Sequence, residues 1–367
     1  MSVCNRIFKD KDFVSSSTPT TNILAVAASV GLLALTIYFL AVGEGVVIPL
    51  VLAIFISYLI VALSQIVERL KLGGRNPPRW LSLIIALILF FLAITLVIQV
   101  IAGNVRLVVD AAPQYQDRLQ DLLSNINNAF ASKLPWESSL TVTALLEGLN
   151  LRTLAGRLYG ALQSIAGNAF LILLYVTFLL LEYRTLDHKL AAMFPHPERL
   201  EWVRATLAKI GRKTRTYIAV KTLVSLLVGG LSYAALLFFG VDFAGFWALF
   251  IFILNFIPYI GSLVAVLFPT ILTLLQFGSA SLFLTVLAVL TGIQVFVSSA
   301  LEPRLMGKSL NLSPLIILIA LSFWGALWGV TGMILSVPIT VIVTIILAEF
   351  TKTRPIAVLM SERGDVK

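Results

Sequence analysis

Apolar residues run almost without interruption over residues 22–42, 45–63, 80–102, 160–181, 222–240 and 280–301. A helix rises 1.5 Å per residue, so each run reaches roughly the 30 Å of a bilayer core and predicts a transmembrane helix. Two further blocks, 243–275 and 312–348, are longer and broken. The first has a polar, kinked middle: Asn255, Pro258, Tyr259, Gly261 and Ser262. Each flank of that middle is about 15 residues, roughly 22 Å, too short to cross alone. The second block is interrupted by Trp324, Gly325, Trp328, Gly329 and Gly332, and again by Pro338. Broken backbone at membrane depth survives only where protein or a watery cavity satisfies the freed polar groups. Transporters place substrate and ion sites at such breaks.

The polar stretches between the runs set the remaining organisation. Residues 1–21 form a polar tail. Residues 22–102 hold the first three spans, and 103–159 is a polar insertion whose charges balance. Leu119, Leu122, Leu123 and Ile126 fall at helical spacing there and predict an amphipathic helix. A fourth span, 160–181, is followed by 182–221, where nine Lys/Arg stand against four acids. Arg204, Lys209, Arg212, Lys213 and Arg215 alternate there with an apolar stripe of Val203, Leu207 and Ile210. That pairing suits an interfacial helix on an anionic inner leaflet, or equally a basic loop that fixes topology. Residues 222–348 form a C-terminal half with the two broken blocks as hairpins, and 349–367 is a basic tail.

Basic loops lie on the cytoplasmic side. The loop at 64–79, the 182–221 segment, Arg304 with Lys308, and the C-terminal tail all fall inside only if both broken blocks enter and leave by the same face. The fold class expected is an all-α polytopic membrane protein of about six full transmembrane helices plus two broken hairpin-like segments, with both termini cytoplasmic.

Composition agrees. The chain of 367 residues is 59% hydrophobic and 12% charged, with mean hydropathy +0.98. A soluble domain carries about 25% charged residues. The net charge of +9 sits in clusters between apolar runs, so nucleic acid is not an expected partner. The lone cysteine, Cys4, excludes an internal disulfide and a cysteine metal site. His188 and His196 lie in a charged loop, and no metalloprotease, P-loop or serine-hydrolase motif occurs. No cofactor or metal is expected, and the chain is not read as an enzyme.

Intramembrane carboxylates mark ion pathways, and this chain has almost none. Glu44, Glu182 and Asp242 lie at span ends and read as interfacial charges. Glu302 ends a span, before Pro303, which disfavours helix in front of it. It either pairs with Arg304 or serves as a gate or proton-linked group. Asn255 and Gln294 are the amides nearest the midplane, and an unbonded amide in lipid is costly. They serve as interhelical glue or as ligands for a solute or cation. The candidate pathway set is therefore Asn255, Tyr259, Ser262, Gln294, Glu302 and Arg304. Pro258, Gly261, Pro269 and Pro303 act on the backbone. Gly325 and Gly329 form a GxxxG pair whose default meaning is close packing, while Trp324 and Trp328 offer aromatic faces to a pathway.

Three motifs together resemble the autoinducer-2 exporter (AI-2E) family, also called PerM-like permeases. They are Asn255-Phe-Ile-Pro258-Tyr-Ile-Gly261 with Pro269; Glu302-Pro303-Arg304-Leu-Met-Gly307-Lys-Ser-Leu-Asn-Leu-Ser-Pro314; and Trp324-Gly325, Trp328-Gly329, Gly332 and Pro338. The resemblance covers essentially the full length, including the order of three spans, an insertion and a motif-rich C-terminal half. It implies a multi-pass transporter of the bacterial inner membrane, usually counted as about eight spans, that works as a homo-oligomer, with a pentamer as the family-level expectation. Some members are linked to export of the quorum-sensing signal autoinducer-2, and others resemble Na+(Li+)/H+ antiporters.

The reading that follows is a secondary exporter of a small polar solute, by alternating access, with autoinducer-2 as the family-implied candidate. An Na+(Li+)/H+ antiporter and a non-transporting membrane scaffold are the alternatives. Partners expected are membrane lipids, anionic on the inner face, a small solute or cation, and further copies of the chain.

Overall fold

A computed structural model describes residues 19–70, 77–131, 151–183, 185–306 and 311–365. The described residues are helical, without a strand. Two compact units are separated between Ile48 and Pro49. In the first, α1 (Pro19–Val42) leaves Leu32, Leu33, Tyr38 and Phe39 exposed, as a helix bathed in lipid does. Helix α2 (Glu44–Arg69) begins there and has Pro49 inside it.

The second unit holds the rest. After α2 come α3 (Arg79–Ala131) and α4 (Leu151–Glu182), then short α5 (Leu186–Met193) and long α6 (Pro197–Phe238). Ala53 and Ile60 of α2 share a buried cluster with Ala86 of α3 and Val176 of α4. Helices run through three of the sequence boundaries. The third span and the start of the insertion are one 53-residue helix, α3. Residues 151–159 belong to the fourth span's helix. The basic segment from Pro197 on and the fifth span are one 42-residue helix, α6, about 60 Å long. Hydropathy marks where lipid ends, and no Pro or Gly cluster stops these helices at that level. Val203, Leu207 and Ile210 line a cleft with Ile346 and Phe350, and the Trp202 and Phe350 rings meet edge-on.

Both broken blocks fold back. Helix α7 (Ala244–Leu254) turns through residues 255–259 into α8 (Ile260–Phe277). The Trp247 and Phe250 rings of one arm pack on Phe268 of the other. At the base, Gln276 joins the arms: its Nε2 donates to the Gly240 carbonyl and its Oε1 accepts from the Asp242 N–H. Next come α9 (Ala280–Phe296), a π turn (Val297–Leu301) and short α10 (Glu302–Met306).

Helix α11 (Pro314–Glu349) consists of two helices that meet at a kink, where Trp328 and Gly329 have non-helical backbone angles. A straight helix would put Ser313 and Thr344 about 46 Å apart. Instead both reach Met360 of α12 (Arg354–Met360): the Ser313 N–H donates to the Met360 carbonyl, and Thr344 Oγ1 lies 3.8 Å from its sulfur. Length and composition alone count α11 among six candidate spans, but its ends meet, so it is a hairpin.

The two hairpins open at opposite ends of α6. The first opens beside the α6 C-terminus, at Gly240 and Asp242. The second opens near the α6 N-terminal half, where Glu349 pairs with Lys209 at 3.0 Å.

Candidate functional site: a buried polar column

One glycine in each hairpin allows its turn. A Cβ on Gly261 would lie 1.8 Å from the Leu254 carbonyl oxygen, and one on Gly332 would lie 1.8 Å from that of Trp324. Only glycine fits either place. In the second turn Gly329 takes φ +60°, and the Trp324 and Trp328 rings meet at a 43° tilt with centroids 4.8 Å apart. Gly325 of the GxxxG pair faces Met333 of its own hairpin, so that close approach is within the hairpin.

The first turn carries backbone strain. Tyr259 has φ +59° and ψ −62°, and the Ile260 N–H donates to the Pro258 carbonyl at 2.6 Å. This is a γ-turn of the uncommon positive-φ form. A non-glycine residue held there costs on the order of 1–3 kcal/mol, and such strain concentrates at functional sites.

The turn delivers Asn255 to the centre of the bundle. Asn255 is 3% exposed, and its Nδ2 donates to Ser225 Oγ of α6 at 3.0 Å. Its Oδ1 accepts from Gln294 Nε2 of α9 at 3.0 Å, and Gln294 also reaches Ser298 Oγ at 3.3 Å. A glycine lets α6 and α7 approach: a Cβ on Gly229 would lie 3.0 Å from the Ala248 carbonyl oxygen. Val224, Val228, Ile251, Ala265 and Val297, from the same elements and from α8, form a buried apolar cluster.

One turn further along α6 lies an ion pair. Lys221 Nζ is 2.8 Å from Glu302 Oε1, and the residue Lys221 is 6% exposed. The π turn before Glu302 explains its direction. An α-helix turns about 100° per residue, so eight residues would leave Glu302 about 80° round from Gln294. A wider turn takes up that excess and sets the carboxylate against α6. π turns of this kind recur at functional sites.

Of the residues singled out from sequence, Asn255, Gln294 and Glu302 come to this column. Glu302 pairs with Lys221 rather than Arg304, which is exposed. Tyr259 is 53% exposed, and Ser262 Oγ donates to its carbonyl, closing the turn locally. Pro269 and Pro338 are buried inside α8 and α11; Pro303 is the second residue of α10 and Pro314 starts α11. Gly307 lies outside the described residues.

Sequence reasoning missed Lys221, Ser225 and Ser298. Lys221 stood at the end of the basic segment, but it lies one helical turn from Ser225 and so shares its face, which was the available signal. Tyr115 and Arg118 were missed too. Tyr115 Oη donates to Asp242 Oδ2 at 2.6 Å, and Arg118 Nη1 donates to the carbonyls of Leu275 and Gln276 at 3.3 and 2.6 Å. Asp242 therefore anchors the hairpin base rather than standing as a free interfacial charge. Burial and that carboxylate push the Tyr115 phenol above its ordinary pKa.

The arrangement offers neutral hydrogen-bonding groups beside a charge-balanced pair, at the turn of the first hairpin, while the second hairpin packs against α6. A family model described as AI-2E family transporter matches residues 29–352, which contain every element of this site. The chain belongs to the AI-2E transporter family. It is 30% identical to the AI-2 transport protein TqsA of Escherichia coli K12, over 94% of this chain and 97% of that one. It is 31% identical, over 87% of this chain and 85% of the other, to a protein of Borreliella burgdorferi whose name assigns transport provisionally and gives no substrate. YhhT of Escherichia coli K12, named in the same provisional way, is 27% identical over 80% of this chain and 82% of its own. As an AI-2E family member the chain is a multi-pass integral membrane transporter.

Proposed function

We propose that this AI-2E transporter is a secondary exporter of a small polar solute, working by alternating access at the Ser225–Asn255–Gln294 column. The observation that supports this reading is the placement of buried, neutral donors and acceptors at the turn of a hairpin, one helical turn along α6 from a buried ion pair. A hydroxyl-rich solute exchanges hydrogen bonds with amides and hydroxyls at little net cost, whereas an isolated charge would not. The name of the TqsA relative makes autoinducer-2, a small polar molecule, the first candidate. In this reading the basic end of α6 and both termini face the cytoplasm, where anionic lipids and further copies of the chain are its partners. No nucleotide-binding motif occurs in the sequence, so the driving force is an ion gradient or the solute gradient itself.

The Na+(Li+)/H+ antiport alternative needs an acid free to alternate between ion and proton. Glu302, the acid at this site, is held by Lys221. The test is efflux of autoinducer-2 from loaded proteoliposomes, compared with Asn255→Ala and Glu302→Ala. Loss of efflux in both is the expected result, and unchanged efflux in both would sink the site assignment.

A further inference from the structure

A membrane-embedded carboxylate must be neutralised, since the effective cost of burying an unpaired ion is several kcal/mol. A proton, a dissolved cation or a basic side chain can do this. Here Lys221 does, with its ammonium 2.8 Å from Glu302. Two features make this unlike an ordinary interhelical pair. Lys221 projects from α6, which is unbroken from Pro197 to Phe238, whereas Glu302 follows the π turn at the end of α9. The cation thus belongs to a continuous helix, the carboxylate to an element with an irregular backbone. In addition, hydroxyl oxygens suited to a hard cation lie four residues from each member of the pair: Ser225 on α6 after Lys221, and Ser298 in the π turn before Glu302. Ser298 and Ser225 bond the Gln294 and Asn255 amides, so these serines stand between the amides and the pair along the chain.

We propose that Lys221 is a tethered counter-cation. Its ammonium stands where a coupling sodium ion would bind against Glu302, and removing its charge converts the place into a sodium site. Lys221 cannot dissociate or leave with solute, so the charge of the column stays constant through a cycle. Solute export by this chain is therefore independent of sodium. That consequence rests on the transport reading above, but the central claim is measured without flux.

The experiment uses the purified full-length chain in lipid nanodiscs, with sodium itself as the probe. Tm is read from tryptophan fluorescence in equal concentrations of NaCl or choline chloride, and 22Na+ binding is measured in parallel. The unaltered chain is expected to show the same Tm in both salts and no saturable 22Na+ binding. Lys221→Ala is expected to melt lower in choline chloride, to recover several degrees in NaCl, and to bind 22Na+ saturably. A ligand that binds only the folded state raises stability with the logarithm of its concentration, which gives the form of the recovery. Lys221→Gln keeps a hydrogen-bonding group without the charge and should respond as Lys221→Ala does. Lys221→Arg should behave as the unaltered chain, and adding Glu302→Gln to Lys221→Ala should abolish the sodium response.

Sodium binding by the unaltered chain that Glu302→Gln removes would overturn the proposal, whatever the variants do. So would a Lys221→Gln protein that folds but shows no difference between salts. Failure of the transport reading looks different: no proteoliposome passes solute, while the sodium response of Lys221→Ala persists.

Discussion

Tyr115 and Asp242 are 127 residues apart in sequence, and the phenol of one donates to the carboxylate of the other at 2.6 Å. The bond fastens the far part of α3 to the base of the first hairpin. Tyr115 also shares a buried cluster with Leu236, Val241, Trp247, Leu272 and Leu275. Arg118, one turn on, donates to the last carbonyls of α8, a favourable place for a cation at a helix C-terminus. Tyr115→Phe keeps the ring and loses the hydrogen bond to a charged acceptor, worth about 1.5–3 kcal/mol. Arg118→Ala should cost less, because the residue is exposed. Adding both changes should raise protease sensitivity at residues 239–243 before global unfolding. Limited proteolysis with mass spectrometry of the fragments checks this, and cleavage confined to other segments would argue against the fastening.

Gly261 and Gly332 should be intolerant of any side chain. A Cβ would sit 1.8 Å from a backbone carbonyl oxygen in each case, and neither carbonyl can rotate away like a flexible side chain. Overpacking costs about 1–3 kcal/mol where neighbours can shift, so Gly261→Ala and Gly332→Ala should exceed that and open the hairpins. Gly292 is the control. Nothing lies within 4 Å of a Cβ there, and alanine in the interior of a helix is favoured over glycine by about 1 kcal/mol. Gly292→Ala should therefore leave Tm unchanged or raise it. Thermal melts of the three proteins in one lipid decide the matter.

The hairpins were legible in the sequence because breaking a helix inside lipid requires particular residues. Asn255 to Gly261 and Trp324 to Gly332 are clusters of breakers and small residues within otherwise apolar runs, and the basic loops fixed their parity. The extent of α3, α4 and α6 was not legible. Hydropathy falls where a helix leaves lipid, whether or not the helix stops, so residues 103, 160 and 222 looked like boundaries. The ion pair was hidden for a related reason. Lys221 was grouped with the basic stretch before it, and its partner lies 81 residues away. The π turn that directs Glu302 at it has no marker in Val297–Leu301, a run that reads as ordinary helix. Asn255 and Gln294 could be recognised as needing partners, but not as each other's.

The amide pair should separate stability from transport. Asn255→Ala removes the acceptor of Gln294 and the donor to Ser225, leaving buried groups short of partners at about 1–3 kcal/mol. Replacing both amides, as Asn255→Leu with Gln294→Leu, removes the polar groups together and should restore most of that stability. The coupling energy from the double-mutant cycle should be near the roughly 0.6 kcal/mol average for membrane hydrogen bonds, or above it. The doubly substituted protein should nevertheless pass no solute. Tm from the cycle, with efflux from proteoliposomes, checks both halves. Wild-type efflux from the stable double variant would reduce the amides to glue.

Charge exchange tests whether the Lys221–Glu302 pair matters as a pair. Glu302→Gln leaves a buried ammonium unpaired, and breaking a buried ion pair from one side costs about 3–5 kcal/mol. Lys221→Met leaves the carboxylate without its counter-charge and should also lower stability. Lys221→Glu combined with Glu302→Lys restores neutrality and should recover part of the loss. Recovery should be incomplete, because the π turn aims a four-atom carboxylate arm, not a longer lysine, at α6. The readouts are Tm and the yield of monodisperse protein on size-exclusion chromatography, each compared across these proteins and the single Lys221→Glu and Glu302→Lys variants. If the exchanged protein is no better than the sum of its single changes, the two residues act independently and the column has no charge-balanced pair at its end.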